Sequence, residues 1–250
     1  MIIDAHAHVT AEEYGSIHCI ERDMKAYGIG KTVLFPGGMI DVRKMSKYVS
    51  QEERGRPAYI PNDLVESCFK AAPERFAGFY CIDPPSAADP VGELGRAHER
   101  GFSGLKLAPI VHRFALNCPA VKALCEAAGA LGLPVYTHVV YGPEASTRVF
   151  GELAAEFPHT VFILGHMGLG PADMEAVELA RRRDNVFLET SGGSFMIIRS
   201  AYEALGATKL IYGSEFPMQD AHVELEKVRL IASERDFEQI AGRTIAGLLQ

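Results

Sequence analysis

The sequence predicts a closed barrel of eight parallel strands, each followed by a helix, and three observations carry that prediction. Short runs rich in β-branched and aromatic residues alternate with longer amphipathic stretches eight times. No linker-like shift in composition interrupts the alternation. The 250 residues are the length such a barrel typically takes as one domain. The expected fold class is therefore α/β, a (β/α)8 TIM barrel with a C-terminal helical tail, spanning 1–250 as a single domain.

In chain order, strands are expected at 1–8, 31–36, 76–82, 104–108, 134–139, 160–166, 186–191 and 210–215. Helices are expected at 17–29, 61–72, 89–100, 119–131, 144–156, 172–183, 196–206 and 222–232. Turn chemistry supports the junctions: in Leu131-Gly132-Leu133-Pro134, Gly suits a helix C-terminus and Pro opens the next strand. Residues 37–55 follow no period and mix Gly, Met and charge, which reads as a long excursion after the second strand. Such loops build active-site walls. After Ser233, apolar Phe237, Ile240, Ala241, Ile245 and Leu248 fall at helical spacing, the mark of a tail that closes against the barrel. An open doubly wound sheet fits the alternation less well, because no GxGxxG follows the first strand.

Composition narrows the function. A net charge of −7 argues against nucleic acid or an anionic membrane as partner, since both are held by clustered Lys and Arg. The dense basic run Arg181 to Arg183 ends a helix, where cations complement the dipole. No apolar run reaches the roughly 18 residues of a membrane span. The opening MIIDAHAHV has no basic region ahead of an apolar stretch, so a secretory leader is not expected and a cytoplasmic location is the default. The five cysteines are odd in number and contain no CxxC pair, and free or buried thiols are expected.

The chemistry gathers at strand ends. Alternation along the first strand puts His6 and His8 on one face, together with Asp4, and two imidazoles roughly 6.5 to 7 Å apart along a strand can rotate onto one ion. Alone, an HxH pair is only moderately specific. His138, His166 and Glu215 then recur at the ends of other expected strands, the end of a barrel where enzymes of this fold do their chemistry. Together they can supply imidazole and carboxylate ligands with an open position for water. Lys106 ends the fourth strand, where an ammonium can meet an anionic substrate. Arg113 and His112 lie just beyond it, and Arg matches a carboxylate with a fork of donors.

MIIDAHAHV, the THV and LGHMG strands and YGSEFP together resemble the amidohydrolase superfamily over essentially the whole chain. More narrowly they resemble its branch of decarboxylases and hydrolases that includes aminocarboxymuconate-semialdehyde decarboxylase. The resemblance makes His6, His8 and His138 metal ligands, and His166 a further ligand or, as in single-metal members, the acid/base. The position of Glu215 is usually Asp in this family, a ligand that also takes a proton from water. With one more methylene, Glu215 is left open between ligating the ion, reaching only the water, or turning away. Lys106 is left open between bridging two metals and binding substrate. Glu189, Thr190 and Ser191 fall where the family has small polar residues that support the site.

The expected function is hydrolysis of a small ester, lactone or amide by metal-activated water, with Zn2+ as the ion and Mn2+ as its alternative. Decarboxylation of a small carboxylated substrate and a catalytically silent binding protein are the competing readings. The survival of all four histidines weighs against the last. The partner is a small molecule, and the resemblance adds a homodimer.

Overall fold

The computed structural model describes residues 1–49, 52–53, 57 and 59–249. In chain order the elements are β1 (Ile2–Val9), α1 (Ile17–Tyr27), β2 (Ile29–Pro36), α2 (Met45–Val49), α3 (Asn62–Ala71), β3 (Phe76–Ile82), α4 (Pro90–Glu99) and β4 (Gly104–Leu107). There follow α5 (Pro109–His112), α6 (Pro119–Ala130), β5 (Val135–Thr137), α7 (Thr147–Glu156), β6 (Phe162–Leu164), α8 (Met174–Arg182), β7 (Val186–Glu189) and α9 (Phe195–Leu205). The chain ends with β8 (Leu210–Ile211), α10 (Ala221–Ile231), α11 (Glu234–Glu238) and α12 (Thr244–Ala246).

The strands pair in parallel in the order β1 to β8. The barrel closes where the Ala5 amide donates to the Tyr212 carbonyl at 3.0 Å and the His8 amide to the Phe216 carbonyl at 2.7 Å. This is the TIM barrel that the alternation predicts. Local chemistry sets the helix ends: α1 stops at Gly28, which takes φ 71°, and the side chain of Asp173 caps α8 by accepting from the Ala176 amide. Arg181 and Arg182 at the end of α8 pair with Glu178 on the surface, in keeping with a solvated helix end.

Two apolar layers hold the fold. One lies between strands and helices. The other fills the barrel interior with Ile3, Ala5, Val33, Phe35, Phe79, Tyr136, Ile163 and Ile211, and Ile245 of the tail belongs to it. The tail thus plugs the N-terminal end of the barrel, and the Tyr212 amide donates to the Ile240 carbonyl at 3.0 Å to fix it there. Burying a side chain such as Ile245 contributes roughly 1.5–3 kcal/mol.

Two differences from the sequence reading bear on the site. The strands at 160–166 and 210–215 are shorter, and beyond them His166 (φ 63°) and Glu215 (φ 53°) leave the extended region for the left-handed one. Each such residue costs roughly 1–3 kcal/mol and is held there only by its surroundings, a pattern common at functional sites. Asp4 does not share the face of His6 and His8. A register shift between Asp4 and Ala7 turns the alternation over, so Ile3 and Ala5 point inward below while Asp4 and Ala7 line a small outer crevice against Ile20 and Met24. Asp4 instead accepts from the Ser214 amide at 2.8 Å and its hydroxyl at 2.6 Å, bracing the closing seam.

The excursion after β2 contains α2 and puts Met39, Ile40, Val42 and Met45 against a cavity. The part of that excursion at 50, 51, 54 and 55 lies outside the described residues. All five cysteines are free, with Cys68, Cys81 and Cys125 buried. No helix among the described residues is long and apolar enough to cross a membrane.

Candidate functional site

A cavity of about 410 Å³ opens at the C-terminal end of the strands, within the range of small-molecule sites. Its floor carries His8, Lys106, His138, His166 and Glu215, and its wall is mostly apolar, including Met39, Ile40, Met45, Ile110, Val111 and Met218. His6 lies beneath the floor, fully buried.

The shift in β1 turns both of its histidines into the barrel, where the Nε2 atoms of His6 and His8 stand 3.0 Å apart. His8 directs Nδ1 at the Pro36 carbonyl, 3.1 Å away. A carbonyl only accepts, so that nitrogen carries the proton and Nε2 is bare. His6 turns its Nδ1 to the Tyr136 hydroxyl at 2.8 Å. That hydroxyl lies 2.7 Å from Glu189, whose carboxylate also accepts from the Ser191 amide and hydroxyl.

His166 sits just past β6, its Nδ1 3.1 Å from the Ser191 hydroxyl and 3.4 Å from Glu215 Oε2. Glu215 projects from the left-handed turn after β8, and the close approach of Gly192 (φ 67°) leaves room beside it. The ring of His138 lies 6.2 Å from that of His166, and its Nε2 accepts from the Ile110 amide at 3.2 Å.

Burial and mutual repulsion set the charges. Desolvation, then the Lys106 ammonium, pulls His8 down to about 3, and desolvation with Lys106 does the same for His166. His6 and His138 are pushed well below the usual imidazole range for the same reasons in the same order. All four rings are neutral at neutral pH, the form that binds a metal. Burial, then the charge of Glu189, raises the Glu215 carboxyl well above the ordinary range. Lys106 is only 2% exposed, has its ammonium 4.1 Å from the centre of the Tyr136 ring, and is pulled by burial from 10.5 to about 8.

These groups fit a divalent cation. Two imidazole nitrogens converge at the spacing of adjacent ligands, both rings are neutral, and each has its other nitrogen engaged from behind, the usual support of a ligating histidine. His6, His166 and Glu189 also form a compact group whose ligand atoms lie within 4.8 Å of one another. Glu189 is the poorest ligand of the three. Hydroxyls of Tyr136 and Ser191 and the Ser191 amide already take its lone pairs.

The structure therefore brings His6 together with His8 and His166 with Glu215, and sets Lys106 and His138 in the same cavity. Arg113 stands apart. It is exposed, caps the short helix α5 with φ 54°, and is not part of the cavity lining, so as placed it does not offer its fork of donors to a bound substrate. The sequence reading did not foresee Tyr136 beneath His6. The available signal was its place two residues before His138, on the inward face of β5.

The family model described as amidohydrolase matches residues 3–249. Among solved structures, a 5-carboxyvanillate decarboxylase from Sphingomonas paucimobilis superposes with a TM-score of 0.71 at 19% identity, over 99% of this chain and 98% of that one. A dihydroxybenzoic acid decarboxylase from Polaromonas, with bound manganese and 2-nitroresorcinol, gives 0.72 at 17% identity over 99% and 96%. A probable 2-pyrone-4,6-dicarboxylic acid hydrolase from Acinetobacter baumannii gives 0.70 at 15% identity over 99% and 98%. At these identities the likeness is one of fold. By sequence, no curated protein matches the chain.

Proposed function

We propose that this chain, which belongs to the amidohydrolase family, is a metal-dependent decarboxylase of a small, planar carboxylic acid. The observation that carries the reading is the contrast within one cavity between an apolar wall of Met, Ile and Val and a polar floor of His8, Lys106, His138, His166 and Glu215. A flat ring fits between such walls, while the floor takes its oxygen substituents. The names of the solved relatives add support: two are decarboxylases of carboxylated phenols, and the third is named as a probable hydrolase of a carboxylated pyrone.

His6 and His8 hold the ion in this reading, with Glu215 completing its surroundings, and His138 would join them once its Nε2 is released from the Ile110 amide. The ion is Mn2+ or Zn2+, and manganese is the one bound in the Polaromonas relative. When bound it supplies positive charge against the negative charge that develops on substrate oxygens. Lys106 adds its ammonium to the same oxygens. The apolar wall excludes water from the carboxylate that leaves. The C–C bond to that carboxylate breaks, CO2 departs, and the electron pair stays on the ring carbon and takes a proton from Glu215, whose carboxyl is shifted by burial towards the acid form and which lies 3.4 Å from the neutral His166.

Metal-reconstituted protein turned over with hydroxybenzoates and related ring acids in D2O tests this directly. Release of CO2 with one deuterium at the vacated carbon is the expected result. A second reading, hydrolysis of an ester, lactone or amide, is favoured by the same His166 and Glu215 pair, which can take a proton from water. Ring opening of a lactone without CO2 release would establish that reading in place of the first. Ligand binding without turnover of any of these substrates would leave a binding role.

A further inference from the structure

We infer that Glu189 is the hub of a relay that fixes the protons of two histidines at once, reaching His6 through the Tyr136 hydroxyl and His166 through the Ser191 hydroxyl. The inference rests on the reading that His6 holds a divalent ion. It follows from counting donors. Glu189 Oε1 accepts from the Ser191 amide at 2.6 Å, and Oε2 from the Ser191 hydroxyl at 2.8 Å and the Tyr136 hydroxyl at 2.7 Å, with the His166 amide a further donor at 3.4 Å. A carboxylate ringed by donors is an acceptor throughout.

Each hydroxyl has a single proton, and both protons point at Glu189. Toward the histidines each oxygen can only accept. The Tyr136 oxygen then takes a proton from His6 Nδ1 at 2.8 Å, and the Ser191 hydroxyl oxygen takes one from His166 Nδ1 at 3.1 Å, with the Ser191 carbonyl a second acceptor for that nitrogen at 3.3 Å. Both rings are left with Nε2 unprotonated, that of His6 facing His8 and its ion. One buried carboxylate thereby sets the same tautomer in the ligand and in the ring beside Glu215, and Glu189, Tyr136 and Ser191 are positioning residues.

The backbone is shaped around this relay. A Cβ added at Gly165 would collide with the Tyr136 hydroxyl, and one at Gly213 would collide with the Glu189 carboxylate and press on the Cβ of His6. Glu189, Tyr136 and Ser191 are fully buried, so no solvent competes for the bonds.

The test reads protons and metal, not turnover. In Zn2+-loaded protein with 15N-labelled histidine, the Nδ1 protons of His6 and His166 are expected as two slowly exchanging resonances. Tyr136→Phe should shift or remove the His6 signal and spare that of His166, Ser191→Ala should shift the His166 signal, which the Ser191 carbonyl still holds, by more than that of His6, and Glu189→Gln should move both. Chelator competition should find Zn2+ held about 10–100-fold more weakly in Tyr136→Phe and Glu189→Gln. A wild type whose His6 lacks the Nδ1 proton would overturn the relay even if every variant failed to fold. So would Tyr136→Phe with His6 signal and affinity unchanged. A wild type that takes up no Zn2+ would sink the metal reading itself, an outcome distinct from wild type and variants binding it equally.

Discussion

The two ends of the barrel interior are built from the same strands and have opposite chemistry. The lower end is Ile3, Ala5, Val33, Phe79, Ile163 and Ile211, sealed by Ile245 of the tail. The upper end, a few residues further along, crowds His6, His8, Lys106, His166, Glu189 and Glu215 at and beneath the cavity floor. Apolar burial below stabilises the fold, whereas burial above shifts each of these titratable groups away from its ordinary range. The upper end can exist because the lower one offsets its cost, as expected of a barrel with stability at one face and chemistry at the other.

Substitutions at each end should separate the two roles. The largest effect is expected from His6→Ala, which should lower bound metal and turnover together by more than the roughly 100-fold upper range for outer partners of a metal site. Elemental analysis beside a rate assay checks it, and full metal occupancy would remove His6 from the ligand set. Glu215→Gln should lower turnover by about 10²–10⁴-fold, the range for losing a group that moves a proton. Its metal content, compared with Glu215→Asp, decides whether Glu215 also ligates.

At the lower end, Ile245→Ala should cost about 2–5 kcal/mol in denaturant unfolding and leave metal content intact. Lost metal with unchanged stability would erase the division between the two ends. Lys106→Met should act in the opposite sense. Burial holds Lys106 at about 8 in the folded protein against 10.5 in its absence, so the charged form costs folding on the order of 3 kcal/mol. Below pH 8 both states are protonated and the full cost is present. Between pH 8 and 10.5 only the unfolded state keeps the proton, so wild-type stability rises with pH. The metal-free Met variant should be the more stable protein below pH 8 and lose that advantage towards pH 10.5, at the expense of binding a carboxylate substrate. The smallest effect belongs to Arg113→Gln, expected within about 0.5 kcal/mol of wild type and with KM unchanged, since Arg113 is exposed and outside the cavity.

The sequence by itself determined the barrel, its tail and the residues that would crowd its mouth, because strand and helix periods, helix caps and a metal-like first strand are local properties of the chain. His6, His8, His138, His166, Lys106 and Glu215 were all legible in this way, each at the end of an apolar run. The tertiary structure alone decided how they face one another. A register shift in β1 turned Asp4 outward and His6 inward, against simple alternation. Left-handed turns at His166 and Glu215 carried those side chains past their strands. Tyr136, more than fifty residues before the Glu189 and Ser191 pair that the sequence had already marked, met that pair beneath His6. Such pairings depend on register and on backbone angles that only the closed, packed barrel imposes, and no local pattern records them.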